Sequence, residues 1–221
     1  TAFSPGEGRT VQLAAVVRDF DDDLRNVHWL LPDGSEVEGE RLEFEAPEDT
    51  TRLRVRAVAR DEAGNIGEAT VIVRLPEPEL AAEGAVTAQA EDFSGQGDGE
   101  VSIVSRIGNV GRMITMWHAN PGHWLEWPVD VPADGDYVIY ARYATQSDEA
   151  VRSLTIDGQS PGAAWEDLRF ASTGGFCTVE DNWAVKRLGE PVHLTAGKHV
   201  IRMTNLAEGL ALDYLTLVPA E

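Results

Sequence analysis

The 221-residue chain carries 38 acidic and 18 basic residues, and its formal net charge is −20. A negative field of this size repels phosphate backbones and anionic lipid, which argues against nucleic-acid and membrane partners. Its single cysteine, Cys177, excludes a disulfide framework, and we interpret it as a small core residue. No apolar run reaches the roughly 18 residues that a membrane span needs. Because no signal peptide precedes Thr1, we expect a processed protein or an excised part of a longer one.

Residues 1–76 predict an immunoglobulin-like β-sandwich domain. Apolar and charged side chains alternate in TRLRVRAVAR (51–60), as they do in a strand with one buried and one solvated face. Similar short runs occur in TVQLAAVV, NVHWLL and ATVIVRL, and the turn signals PDG and EAGN lie between strands. Several short strands at this spacing indicate a sandwich.

Aspartates alternate at the start of DFDDDLRNVHWLLPDG (19–34), which suggests a calcium loop. An EF-hand is excluded because Leu24 stands where the loop needs Gly, and Leu30 stands where it needs a bidentate Glu. The stretch resembles PKD-like immunoglobulin-fold modules, and this resemblance implies a spacer domain with Trp29 in its core. The matching residues are Asp19, Asp21, Asp23, Trp29, Asp33 and Gly34.

The segment RLPEPELAAEG (74–84) is a predicted linker, since its two prolines disfavour strand pairing and its composition is acidic and small. The linker separates the first domain from a second at residues 84–221. That second part is also rich in strand patterns, from AVTAQAEDF to ALDYLTLV, and shows no sustained helical period. We therefore predict an all-β chain in which a β-jelly-roll sandwich follows the immunoglobulin-like one.

Three polar residues of the second part suggest a metal site. Gln89 and Glu91 are two positions apart on a predicted strand, so their oxygens share a face. Asp213 lies among apolar neighbours in the last strand, where a carboxylate is costly unless it is paired or binds a metal. If the first and last strands are neighbours, these oxygens form the kind of site that calcium prefers. The alternative is that they are solvated or edge-strand polar groups.

The second part resembles carbohydrate-binding modules of families 6 and 35. The motifs that carry the resemblance, in order, are QAED, HWLEWPVDVPADGDYVIYARYAT, LTIDG, VHLTAGKHVIRM and LALDYLTL, and they cover Val86 to Pro219. The resemblance implies a jelly roll that binds carbohydrate in loops at one end. It also implies a structural calcium ion, whose ligands would match Gln89, Glu91 and Asp213.

The resemblance places the loop at 116–123 and the segment at 163–182 at the ligand-binding end. A sugar needs an aromatic face for its C–H patch and polar groups for its hydroxyls. One departure is Ala211, which stands where many relatives carry an Asn that bonds a sugar hydroxyl. Trp127 and Tyr137 are predicted core residues. For Trp183 two roles stay open, a core residue or a platform on which a sugar ring stacks, and we favour the core. The candidate ligand residues are Trp117, His118, Asn120, Trp165, Phe176, Asn182 and Asn205.

The leading functional hypothesis is a secreted, non-catalytic polysaccharide-binding module, stabilised by calcium and tethered as a monomer within a larger extracellular polysaccharide-active protein. The alternative is a structural or adhesive pair of sandwiches without sugar binding. An enzyme is not expected. The acidic pairs Glu166–Asp167 and Glu180–Asp181 are adjacent in sequence and would point in opposite directions on an extended chain, whereas glycoside hydrolysis needs two facing carboxyls.

Overall fold

The structure is a computed structural model that describes residues 2–5 (backbone only), 10–18, 24–75, 77–118 and 120–220. The chain divides into two compact units, residues 1–48 with 52–75 and residues 49–51 with 76–221. Both units are built from β-strands, which confirms the all-β prediction. In the described part of the chain, no helix is both long and apolar enough to cross a membrane. The assignment of residues 1–76 and 84–221 as separate domains stays a prediction.

The described residues of the first unit form a three-stranded and a four-stranded sheet. Its strands are β1 (Ala2–Pro5), β2 (Thr10–Ala14), β3 (Leu24–Leu30), β4 (Glu36–Glu38), β5 (Arg41–Glu45), β6 (Arg52–Asp61) and β7 (Ile66–Arg74). The sheet orders are β1-β2-β5 and β4-β3-β6-β7, with antiparallel neighbours. The immunoglobulin-like and PKD-like assignment of this unit stays a prediction.

The core of the first unit confirms the alternation expected from its sequence. Leu53, Val55 and Ala57 point inward from β6 and are buried. Trp29 is fully buried, as predicted, and its Nε1 donates to the carbonyl of Gly39 at 2.7 Å. The aspartates at 19, 21 and 23 lie outside the described residues, so the structure does not test their role.

The second unit contains eleven described strands in two sheets packed face to face. They are β8 (Val86–Gln89), β9 (Gly95–Gly97), β10 (Ser102–Val104), β11 (Met113–Trp117), β12 (Trp124–Val131), β13 (Gly135–Ala144), β14 (Glu149–Ile156), β15 (Leu168–Ala171), β16 (Ala184–Leu194), β17 (Gly197–Ala207) and β18 (Leu210–Pro219). One sheet has the order β10-β11-β18-β13-β16, with β8 also paired to β18, and the other has the order β15-β14-β17-β12-β9. The arrangement is the predicted jelly-roll sandwich.

The core of the second unit lies between these sheets. Trp127 is buried and donates from Nε1 to the Ala90 carbonyl at 3.1 Å. Tyr137 is buried and donates from its hydroxyl to the Ala133 carbonyl at 2.9 Å. Both were predicted core residues, and the hydrogen bonds satisfy the polar ends of these large rings. The other buried residues of the same alternating strands are Leu125, Val129, Val131, Ile139, Ala141 and Tyr143.

The antiparallel strands give the second unit two distinct ends. We call one the loop end; its connections are residues 118–123, 145–148, 172–183 and 208–209. We call the other the far end; its connections are residues 132–134, 157–167 and 195–196. The far end also includes the start of β8, because Val86 pairs with Leu217 near the end of β18.

Candidate functional site

A β-bulge brings Asp213 out of the apolar core. On the β13 side, Arg142 pairs with Tyr214 and Tyr143 pairs with Leu212, so Asp213 is the extra residue. An extra residue reverses the alternation of side chains along a strand. Leu212 and Leu215 therefore both face the core, and Asp213 is placed on the outer side of the six-stranded sheet.

On its other side, strand β18 has two different neighbours, and the change from one to the other falls at Asp213. It pairs with β11 through Leu212 and with β8 from Tyr214 onward, where Tyr214 is opposite Gln89. Asp213 thus lies at the junction of β8, β11 and β18. The structure confirms that the first and last strands of this unit are neighbours, which was the premise of the predicted metal site.

The Asp213 carboxylate is fully buried and hydrogen-bonded. The Val110 amide donates to Oδ1 at 3.1 Å and to Oδ2 at 3.2 Å, and Arg142 Nη1 forms a short ion pair with Oδ2. Burial raises the pKa of the Asp213 carboxyl, whereas the hydrogen bond and charge of Arg142 lower it and the charge of Glu91 raises it further. The carboxylate is therefore held by one cation and one amide beneath the 105–112 loop.

The two predicted partners of Asp213 each leave a buried oxygen without a hydrogen bond. Gln89 Oε1 and Glu91 Oε2 have no partner among the described residues. Glu91 Oε1 accepts the Arg112 amide at 2.7 Å, and a methyl group on Gly111 would lie only 2.9 Å from it. Buried polar atoms without partners are unfavourable. This arrangement therefore fits a further cation or hydrogen-bond donor that contacts these two oxygen atoms.

The donor set is suited to a hard cation, because it consists of two carboxylates and one amide oxygen. The described residues contain no group of three or more His, Cys, Asp or Glu side chains that could hold a metal. A calcium ion at Gln89, Glu91 and Asp213 would therefore need further oxygen ligands from backbone carbonyls or water.

The two tryptophans expected to stack on sugar are both buried. Trp117 is 0% exposed and donates from Nε1 to the His123 carbonyl at 3.1 Å. Trp165 is 1% exposed and lies in the 157–167 connection at the far end. A methyl group on Gly189 would lie 2.3 Å from the Trp165 ring, so this indole packs directly on the β16 backbone. Neither ring offers a face at the surface.

The loop end brings His118 and Phe176 together. A methyl group on Gly209 would lie 3.3 Å from His118 Cβ and 3.3 Å from Phe176 Cζ, so the two side chains flank this glycine. His118 and Asn120 are exposed, and Phe176 is half-buried. The Asn120 side chain donates from Nδ2 to the Asp98 carbonyl at 2.8 Å, which holds the 118–123 loop against the β9–β10 connection.

Asn205 and Asn182 lie at the loop end but below its surface. Asn205 is fully buried, its Nδ2 donates to the Asn120 carbonyl at 3.0 Å, and its Oδ1 has no partner among the described residues. Asn182 accepts the Cys177 amide at 3.2 Å and donates to Glu180 at 2.9 Å. Both asparagine side chains therefore hold loop backbone in place, whereas the sequence analysis predicted that they contact ligand.

An apolar cluster surrounds Ala211. It covers the outer side of the six-stranded sheet at the loop end, and its buried members are Met113, Ala144, Cys177, Trp183 and Ala211. This burial confirms the core interpretations of Cys177 and Trp183. The 172–183 connection thus packs over the position at which the resemblance implies a sugar-bonding Asn.

The sequence analysis missed two structurally prominent cations. Arg142 binds Asp213, and Arg152 is fully buried beneath Trp117. Arg152 shares the inward face of β14 with Ala150 and Leu154, so the strand alternation was a usable signal. Arg142 lies on the outward face of β13, where nothing in the pattern distinguishes it from a solvated residue.

The family model for carbohydrate-binding modules of family 6 matches residues 89–219, which is more than half of the chain. Those residues span both sheets of the second unit and the Asp213 junction. The chain therefore belongs to the carbohydrate-binding modules of family 6, a family that binds carbohydrate without catalysis. No curated protein sequence matches it significantly.

Three solved structures resemble this chain in fold. A family 35 carbohydrate-binding module from Clostridium thermocellum is 27% identical with a TM-score of 0.50, and the match covers 62% of this chain and 98% of that module. An Arthrobacter globiformis T6 isomaltodextranase complexed with panose is 16% identical with a TM-score of 0.50, over 97% of this chain and 33% of that one. A Paenibacillus sp. cycloisomaltooligosaccharide glucanotransferase complexed with cycloisomaltoheptaose is 21% identical with a TM-score of 0.50, over 62% and 18%. The likeness to the two enzymes shows the fold alone.

Proposed function

We propose that the second unit binds a polysaccharide at its loop end. The observation that carries the proposal is the pair His118 and Phe176, which flank the bare backbone of Gly209. A phenyl face can stack on the C–H patch of a sugar ring, while an imidazole and the exposed carboxamide of Asn120 can bond its hydroxyls. Trp117 and Trp165 serve as core residues in this proposal, because both are buried.

Binding to immobilised polysaccharides tests this site. The variants F176A and H118A should each weaken binding by about 1–3 kcal/mol, as expected for residues at the centre of a contact. V179A is the matched control, because Val179 lies on the same 172–183 connection and is 85% exposed. Equal affinities of F176A, H118A and the parent chain, on a glycan that does bind, would move the site elsewhere.

We further propose that the Asp213 junction holds a structural calcium ion. Gln89, Glu91 and Asp213 would provide the side-chain oxygens, and the ion would cross-link β8, the following 3-10 turn (Ala90–Asp92) and β18. The partnerless Gln89 Oε1 and Glu91 Oε2 support this proposal. The bound ion would contribute stability and hold the backbone in place, and no chemical step depends on it.

The wider setting that we propose is a secreted, larger polysaccharide-active protein, in which the module is tethered as a monomer behind an immunoglobulin-like spacer. The support is the membership of residues 89–219 in a carbohydrate-binding family, together with a net charge of −20. Size-exclusion chromatography with light scattering should give the mass of one chain. A stable dimer would contradict the monomer.

One observation favours a second candidate, a structural sandwich without sugar binding. Ala211 is buried in the apolar cluster beneath the 172–183 connection and has no polar group to offer a hydroxyl. A glycan array decides between the two. Glycan binding that F176A weakens supports the module, and a folded chain without any glycan signal supports the structural role.

A further inference from the structure

Arg142 is the cation that balances Asp213 in this structure. Its Nη1 pairs with Asp213 Oδ2 and also donates to the Gly108 carbonyl at 2.9 Å. The Asp213 side chain is 0% exposed and that of Arg142 is 12% exposed, so the pair is largely removed from water. A buried carboxylate without a counter-charge is strongly destabilising, so Arg142 supplies what the fold requires at this point.

The guanidinium group is held in place by aromatic rings. Its central carbon lies 5.2 Å from the centre of the Trp183 ring and 5.9 Å from that of Tyr214. Trp183 is in turn fixed by a 3.0 Å hydrogen bond from Nε1 to the Ile107 carbonyl. Cation–π contacts on two rings and a carbonyl partner leave Arg142 little freedom to turn away from Asp213.

The two oxygens of Asp213 are used unequally. Oδ2 binds Arg142, whereas the described residues give Oδ1 only the shared Val110 amide. A cation can therefore approach Oδ1 while Arg142 stays on Oδ2. Glu91 and Asp213 together carry two negative charges, and Arg142 reduces this to one. Arg112 also lies at the junction, but its guanidinium donates to the Ile103 carbonyl at 2.7 Å and the residue is exposed.

We propose that Arg142 is a built-in counter-cation of the Asp213 junction, which keeps the second unit folded without calcium and weakens the affinity of the junction for calcium. This inference rests on the proposed calcium site. A fixed positive charge beside a carboxylate repels an arriving divalent ion and also removes the need for it. Calcium then adds stability to a unit that folds without it.

The test compares the parent chain with R142M, which keeps a long, unbranched side chain at this position but removes the charge. Calcium affinity is measured by calorimetry, and melting is followed in excess EDTA and in saturating calcium. R142M should bind calcium about tenfold more tightly, as expected when a nearby like charge is removed. Its melting temperature should fall well below that of the parent in EDTA and recover in calcium, so the calcium-dependent shift at least doubles.

Two further variants serve as controls. R142K keeps the positive charge and should have nearly the calcium affinity of the parent chain. R169Q removes an exposed arginine that pairs with Glu149 and Asp167, and it should leave both calcium measurements unchanged.

The outcomes separate this inference from the calcium proposal. If the parent binds calcium and R142M shows the same affinity and the same melting shift, Arg142 is not a counter-cation. If R142M binds calcium and the parent does not, Arg142 replaces the ion completely, and the calcium proposal fails for the natural sequence alone. If neither chain binds calcium, or if R142M stays unfolded in saturating calcium, both the site and the compensation are wrong.

Discussion

Arg152 lies with its guanidinium carbon 4.6 Å from the centre of the Trp117 ring, and its Nη2 donates to the Trp117 carbonyl at 2.9 Å. Its other hydrogen bonds go to the carbonyls of Val151, Ala207 and Glu208. Because the side chain is buried, desolvation lowers its pKa to about 9, so it stays charged at neutral pH. One indole thus covers a buried cation whose described partners are all neutral.

Removing Trp117 should therefore cost at least as much as an ordinary truncation of a core tryptophan. W117A leaves a cavity and uncovers Arg152, and we expect a loss of about 3–5 kcal/mol in the free energy of unfolding. Urea denaturation followed by circular dichroism measures it. W124A is the control, since Trp124 is half-buried and stacks on Arg202 outside the core. A smaller loss in W117A than in W124A would mean that the Trp117–Arg152 contact contributes little.

Gly189 is required by the close approach of Trp165. Its φ is +49°, and a methyl group there would lie 2.3 Å from the indole. G189A should destabilise the second unit by about 1–3 kcal/mol, because a packed core does not absorb an extra carbon without distortion. G158A has a similar positive φ of 78° with no atom within 4 Å of the added methyl group, so it isolates the backbone cost. Equal melting temperatures of the two variants would contradict the packing argument.

His199 should give the second unit a pH-dependent stability. Its Nδ1 lies 2.7 Å from Asp157 Oδ2 and its Nε2 lies 2.8 Å from the Thr195 carbonyl, so the doubly protonated ring satisfies two acceptors. The Thr195 carbonyl and Asp157 raise the pKa of His199 above its ordinary 6.5. A pKa raised by folding means that this stabilisation is complete below about pH 6.5 and is lost as the pH rises through the folded-state value.

Melting temperatures of the parent chain and H199N between pH 5 and 9 check this expectation. The advantage of the parent should shrink as the pH rises. H193N is the control, because His193 contacts Asp136 at an exposed position, 69% accessible. A difference between the parent and H199N that stays constant across the range would rule out protonation as its cause.

Chelation should separate the two units. A ligand that binds only the folded form stabilises it by about 4 kcal/mol at a thousandfold excess over its Kd. EDTA should therefore lower the melting temperature of the second unit by several degrees and leave the first unit nearly unchanged. D213A and E91A should abolish this EDTA-dependent change in melting temperature. Q89A should reduce the change only in part, because this substitution removes no charge. Unchanged melting in EDTA, with no calcium in a metal analysis, would disprove the site.

The strands and their buried faces were predictable from the sequence, because alternation in runs such as LRVRA reports burial directly. The β18 bulge was not, since LALDYLTLV reads as one continuous strand. Its effect is large: the bulge moves Asp213 to the outer side, where Arg142 meets it. Such contacts depend on which strands pair across long distances in the chain. The residues of one strand do not specify that pairing.

Aromatic residues were harder to assign. A tryptophan in a loop can either stack on a ligand or anchor the loop to the core. Trp117 and Trp165 had been predicted to contact ligand, but both are buried. The sequence also could not show that Trp165 lies at the far end, because that depends on the direction of β14 and β15. The pairing of the first and last strands was predictable, because the terminal strands of a sandwich are commonly neighbours. The prediction that Gln89 and Glu91 share one strand face was wrong, since β8 ends at Gln89 and Glu91 lies in the following 3-10 turn, Ala90–Asp92.

The pairing of β8 with β18 places the start of one strand and the end of the other at the same end of the second unit. Val86 is opposite Leu217, so both of these strand ends lie at the far end of the sandwich. His118 and Phe176 lie at the opposite end, a strand length away. Sequence changes next to the outer ends of β8 and β18 should therefore leave the surface formed by these two side chains unaltered.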